Sequence, residues 1–391
     1  MPSVKQIAII AACVAVAGFA GFRVTAWAKG GPASDCRRTF SPVARGACYE
    51  RFFANRLATY GVANAVATLD TLIASDRDVS RRAHEYAHGI GIAAYSRYPD
   101  IVSTFTACGE AASSGCRHGF IQAYFESHDR ITTPDVQSFC QPFKQPGSSR
   151  WILFQCVHGM GHGLAMFYGH DLPQALGACD QLVDSWDRES CFGGAFMESD
   201  MSAIAPHHPA TELAAHGHHH HSSFKAIDPA DPLYPCSIMA EHYLRACFEI
   251  QTSVMLYLNH GNIADAARTC DRAVTFMRDA CYQSLGRDIT SYAERDADKS
   301  ADLCAKGSLE HRPACYIGVA KALVDWTATT DNALKFCRII STEGEAGRDA
   351  CYVAIGEQIA TLSNDATRRA SECERATIPE GIAACRRGAR L

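Results

Sequence analysis

The chain has 391 residues, 47% of them apolar and 20% charged, with a formal net charge of −5. Such a composition excludes a disordered chain, and it offers no excess of basic residues for a nucleic-acid surface. The length allows two or three domains or one long array.

The first element is a leader. Ile7–Phe22 is an apolar run behind Lys5, and Ala26, Trp27 and Ala28 form a small-residue cleavage box. Residues 1–28 are expected to be a signal peptide or an N-terminal membrane anchor. The remainder is then periplasmic and anchored to the inner membrane, or secreted if the leader is cleaved. Cysteine usage agrees with export: of 19 Cys only Cys13 lies in the leader, and the other 18 form an even set suited to disulfides in an oxidising compartment.

From residue 29 the chain is punctuated by close cysteine pairs. Before the first Cys of a pair stands an Asp placed to cap a short helix, as with Asp135, Asp171 and Asp331. The first Cys closes that helix, and the second opens a longer one, as in "ACYQSLGRDITSYA", "ACYIGVAKALVDW" and "ACYVAIGEQIATL". One disulfide per hairpin is expected: Cys36–Cys48, Cys108–Cys116, Cys140–Cys156, Cys179–Cys191, Cys236–Cys247, Cys270–Cys281, Cys304–Cys315, Cys337–Cys351 and Cys373–Cys385. The last five second cysteines follow one another at 34, 34, 36 and 34 residues, the period of stacked helical hairpins. Midway between Cys48 and Cys116, "RRAHEYAHGIGIAAYS" fits the same register with Tyr86 in the place of the second Cys. The fold class is therefore all-α: a solenoid-like array of about ten α/α hairpin units, nine of them bridged.

The register is broken once. The stretch 199–235 carries several prolines and seven histidines, including His207, His208 and the run His216, His218, His219, His220 and His221. It reads as a loop or linker between a histidine-bearing half, 29–198, and a plainer half, 236–391. Such a tract binds zinc, copper or nickel loosely, or is a solvated low-complexity loop.

"C…ACY…G" on a period near 34 resembles the cysteine-bridged Sel1-like and tetratricopeptide-type repeat proteins, over most of residues 36–391. The resemblance implies a helix–turn–helix solenoid and no particular activity, since such folds serve many functions.

Counted from the second Cys of each unit, or from Tyr86, His88, His118 and His158 all stand at +2, with His84 at −2 and His162 at +6. Positions four apart share one helical face, so all five histidines lie on a common face near the start of the second helix in three consecutive units. The other units control this observation. Their +2 residues are Glu50, Gly193, Glu249, Gln283, Ile317, Val353 and Arg387, so the hairpin itself does not demand histidine there. The expectation is a transition-metal site of zinc, iron or copper on His84, His88, His118, His158 and His162. Glu50, Glu85, Glu126 and Glu198 are the carboxylates on the second helices, and Glu50, which holds the +2 place one unit before His88, is expected to join the histidines as a metal ligand. Gly89, Gly119, Gly159 and Gly163 each follow a histidine. Helical glycine costs about 1 kcal/mol against alanine, which points to close helix approach or to room for a ligand.

"HEYAH" also matches HExxH, in which two histidines bind zinc and the Glu activates water. The metzincin continuation fails at Ala94, so His118, His158 or His162 would have to supply the third ligand. CxxCH, GxSxG, the P-loop and GxGxxG do not occur. Three functions follow from this reading. One is a metal-dependent hydrolase or oxidoreductase with Glu85 or Glu126 as general base. The second is a metal-binding or delivery protein acting through the histidine tract. The third is a scaffold that holds another periplasmic or membrane protein on its repeat surface.

Overall fold

Most short helices end where a cysteine is tied to the next, longer helix, and that move recurs along the described residues. The computed structural model describes residues 33–98, 100–109, 114–204, 224–327, 329–340 and 345–391. The expected leader and the tract His207–His221 lie outside them. Among the described residues there is no strand, and no helix is long and apolar enough to cross a membrane.

The helices are α1 (Ala33–Arg37), α2 (Pro42–Tyr60), α3 (Val62–Ser75), α4 (Arg77–Arg81), α5 (Ala83–Tyr95), α6 (Ile101–Cys108) and α7 (Gly115–Glu126). They continue with α8 (Thr133–Phe139), α9 (Arg150–Phe167), α10 (Leu172–Cys179), α11 (Ser185–Ile204), α12 (Leu244–Phe248), α13 (Thr252–Leu258) and α14 (Ile263–Asp271). The last are α15 (Arg278–Tyr292), α16 (Ala297–Cys304), α17 (Arg312–Thr327), α18 (Asp331–Ile340), α19 (Glu345–Leu362), α20 (Ala366–Glu374) and α21 (Pro379–Gly388). The chain divides into two compact units, one up to Tyr124 and one from Phe125.

All nine bridges join neighbouring segments, with Cα–Cα separations of 5.4–5.9 Å; Cys236 alone starts from a turn and not from a helix or its cap. Local chemistry sets the helix starts. Asp100, Asp171 and Asp296 accept backbone N–H bonds from Ser103, Gln174 and Lys299 at 2.8, 3.1 and 2.9 Å, satisfying donors that the first turn leaves free. Asp135 differs from expectation. Thr132 is the cap, and Asp135, three residues in, returns a bond to the Thr132 N–H at 2.8 Å as the other half of a capping box. Asp331 lies inside the first turn of α18. The linker also begins later than the sequence reading has it: α11 runs on through Ser199–Ile204, because the first helix breaker is Pro206.

Packing between hairpins follows a rule that combines two glycines. In the unit from Phe125, a Cβ added to Gly161 of α9 would stand 2.0 Å from the Cys191 carbonyl of α11. One added to Gly194 of α11 would stand 1.9 Å from the His158 carbonyl of α9. The backbones touch there, and only hydrogen fits. The same reciprocal contact joins α15 to α17 through Gly286 and Gly318, and α19 to α21 through Gly356 and Gly388. In the unit ending at Tyr124, Gly91 and Gly119 join α5 to α7. In every pair the first glycine is five residues past the unit's reference position and the second is three past its own.

The ten units thus run single, pair, pair, single, pair, pair. The chain is two copies of a five-unit module, offset by 194–199 residues between equivalent reference positions (48, 86, 116, 156, 191 against 247, 281, 315, 351, 385). Within the larger unit the helices α9, α11, α13, α15, α17 and α19 pack in sequence, and α19 also touches α9; beside that contact Asn364, just past α19, donates to the Ser148 carbonyl, just before α9, at 2.7 Å. Their contacts close a circuit.

Candidate metal centre

In the larger unit, the glycine contact at Gly161 and Gly194 presses α9 against α11 and places their polar residues edge to edge. His158 and His162, one turn apart on α9, have ring centroids 5.1 Å apart and turn their Nε2 atoms toward each other at 3.4 Å. Each ring is held from behind. His162 Nδ1 lies 2.9 Å from Glu198 Oε2, and a ring N–H of His158 donates to the Ser190 carbonyl. Glu198 is almost fully buried and is further bound by Ser202, which donates to Oε1 at 2.7 Å, and by His170 Nε2 at 3.2 Å from Oε1.

This network sets the tautomers. A carboxylate accepts only, so His162 holds a proton on Nδ1 and turns Nε2 to His158. His158 gives its N–H to a carbonyl and likewise presents Nε2. Burial, first, and the neighbouring His162, second, press the His158 pKa down to about 3. The two Nε2 atoms thus face each other, and either a proton shared between them or a cation bound by both satisfies the pair. Two nitrogens bound to one tetrahedral zinc at ~2.0–2.1 Å stand roughly 3.3–3.4 Å apart. The observed 3.4 Å separation fits that geometry. Carboxylate behind imidazole is the usual outer support of a metal-binding histidine.

In the smaller unit, α5 and α7 bring His84, His88 and His118 together. The His84 ring centroid is 6.1 Å from that of His88 and 5.8 Å from that of His118, a wider group than the pair on α9. His88 and His118 are buried, at 3% and 8% exposure. Two of the candidate acids are engaged elsewhere: Arg82 binds Glu85 at 2.6 Å and Glu50 at 3.6 Å. Glu126 lies half-buried in the last turn of α7. Among the described residues no group of three or more His, Cys, Asp or Glu is placed to hold a metal ion, the trio on α5 and α7 included. The five histidines thus fall into two groups, His84, His88 and His118 in one unit and His158 with His162 in the other. Gly119 owes its place to backbone contact with His88, whereas a Cβ on Gly89 would meet nothing within 4 Å.

The second copy of the module is an internal control. Where the first has His158 and His162, the second has Val353 and Glu357, and Glu357 pairs with Lys321 at 2.8 Å. The scaffold is retained and the imidazoles are replaced. Two partners of the centre lay beyond sequence reasoning. His170 belongs to a turn after α9 with φ +63°, outside any repeat position, and Ser202 falls in the assumed linker. Glu198 was legible only as one carboxylate among four.

Comparison with protein-family models, with curated proteins and with solved structures finds no significant match.

Proposed function

We propose that this is an exported, disulfide-stapled helical-repeat protein of Sel1-like or tetratricopeptide type that carries a transition metal on His158 and His162. One observation carries the reading: two Nε2 atoms 3.4 Å apart, with Glu198 fixing the outer nitrogen of one ring. Two protein ligands leave coordination positions for water or substrate. Hydrolytic chemistry by a metal-bound water is what such an open site can do, because the metal lowers the pKa of that water. The trio His84, His88 and His118 is the second candidate group. Nine disulfides support an oxidising compartment as the place of action. Elemental analysis of untagged protein tests the reading in three forms: native chain, chain lacking His216–His221, and His158→Ala/His162→Ala. Stoichiometric metal that survives the deletion and vanishes in the double variant supports the centre. Metal lost with the tract alone supports a delivery role instead, and no metal in any folded form refutes both.

A second reading, an interaction scaffold, has its own observation. Val183, Ile238, Phe276 and Leu309 lie between the paired cysteines of four consecutive bridged hairpins of the larger unit and are 82%, 62%, 60% and 75% exposed. Apolar side chains repeated at a loop edge are what a partner protein would cover.

A further inference from the structure

The loops that carry Val183, Ile238, Phe276 and Leu309 form one continuous edge of the larger unit. Asp180 of the first loop accepts the Tyr243 hydroxyl of the second, and Glu189 of the first lies 3.8 Å from Arg245 of the second. The turn Thr275–Met277 of the third packs on α12, which closes the second. Asp279 of the third lies 2.7 Å from the His311 ring of the fourth, and the Ser308 N–H of the fourth donates to the Tyr282 hydroxyl at 3.0 Å. A disulfide staples the base of each loop, so four apolar tips are held side by side with little freedom left to lose on binding. Charge changes along the row. The first loop holds Asp180, Asp184, Asp187 and Glu189 against Arg188, with Asp187 also bound by Lys144 of the hairpin before. The next two loops carry equal numbers of acids and bases. The fourth holds Lys306 and Arg312 against Glu310. The row is therefore acidic at its Val183 end and basic at its Leu309 end.

Resting on the scaffold reading above, we infer that this edge is a two-fold interface joining two copies of this chain. A row whose ends carry opposite charge is complementary to itself when reversed. A two-fold axis through its middle sets the acidic end of each copy on the basic end of the other. Val183 then faces Leu309 and Ile238 faces Phe276, each pairing occurring twice. Phe276 becomes the aromatic anchor near the centre, where interfaces concentrate their binding energy. Four apolar side chains, each burying on the order of 100 Å², supply about half of the ~800 Å² per partner of a standard interface. The polar parts of the four loops supply the rest, as a rim does. Over the four loops acids exceed bases, which turns the edge away from an anionic lipid surface that the same apolar tips would otherwise suit.

Sedimentation of the full disulfide-bonded chain tests this, and the leader, common to every variant, cancels in the comparison. Wild type should sediment as a dimer. Phe276→Asp and Ile238→Lys, at exposed loop positions, should keep the helical circular dichroism of wild type and weaken the dimer about thirty-fold, the scale of a central anchor. Lys306→Glu should weaken it several-fold at low salt and not at high salt. Register is read by mixing. Ile238→Lys chains mixed with Phe276→Asp chains should restore a dimer, because the axis sets the new charges opposite each other. Ile238→Lys mixed with Leu309→Asp should not. A dimer that no tip substitution weakens overturns the inference, as does restoration by both mixtures alike. A wild type still monomeric at about 100 μM, above the range in which interfaces of this size associate, also overturns it. If that monomer captures a different chain from an envelope extract and Phe276→Asp abolishes the capture, the scaffold reading survives alone. If it captures none, both fall.

Discussion

Replacing Gly194 by alanine tests the link from packing to site most directly. The added methyl would stand 1.9 Å from the His158 carbonyl oxygen and 3.2 Å from Gly161 Cα, both backbone atoms that no rotamer change can move. To reach the 3.0 Å at which real contacts begin, α11 must retreat from α9 by about 1 Å. Overpacking of this kind costs about 3 kcal/mol where backbone opposes it. Alanine returns about 1 kcal/mol of helix propensity, for a net loss of about 2 kcal/mol. At ~2–4 °C per kcal/mol for a chain of this size, the thermal midpoint should fall by roughly 4–8 °C with the disulfides intact.

The same retreat lengthens the 2.9 Å bond from His162 Nδ1 to Glu198 beyond hydrogen-bonding range, so zinc affinity should fall as well. Two companions separate the effects. Gly388→Ala makes an equivalent clash, 2.0 Å from the Val353 carbonyl, in a helix pair without histidine. It should lose stability alone. Gly89→Ala meets nothing within 4 Å and should gain up to about 1 kcal/mol. Calorimetry and zinc titration of the three variants decide it. A Gly194→Ala chain that melts with wild type and binds zinc equally would refute the reasoning.

Other outcomes follow from single groups. Glu198→Gln should weaken zinc binding about 10–100-fold with little change in the melt, read by competition with a chelating dye. Asp200 of α11 is buried with one oxygen unpartnered, and burial, opposed by Arg287, pushes its carboxyl up to about 8. A folded pKa above the unfolded one favours the fold below pH 3.8 and loses that contribution as pH rises toward 8. Asp200→Asn should therefore stabilise by up to about 4 kcal/mol at pH 7 and by nothing at pH 3.5, as denaturant midpoints at the two pH values will show. Removing the Cys140–Cys156 bridge, which closes a separation of 16 residues, should cost about 3 kcal/mol in the same assay.

The hairpin array was legible because cysteine spacing records it directly, down to the unbridged unit at Tyr86, whose ring is buried at 3% exposure. The duplication is present in the sequence too, in glycines at +5 and +3, but most of these stand beside no histidine, and only the backbone contacts single them out. Helical register indicates which side chains share a face. It does not indicate which carboxylate across a helix pair will reach an imidazole. That is why Glu85, adjacent to His84 in sequence, pairs with Arg82, while Glu198, 36 residues away, holds His162. His170 reaches the centre from a turn, where periodicity carries no information.

Each of the nine bridges joins a cysteine to the next one along the chain, across separations of only 8–16 residues. For a protein threaded through a translocation pore from its N-terminus, every thiol meets its proper mate before the following pair emerges. Order of arrival alone selects one pairing from the very many that 18 thiols permit. A nascent chain of this design can lock each hairpin as it appears, and it has little need of an enzyme to reshuffle wrong disulfides afterwards.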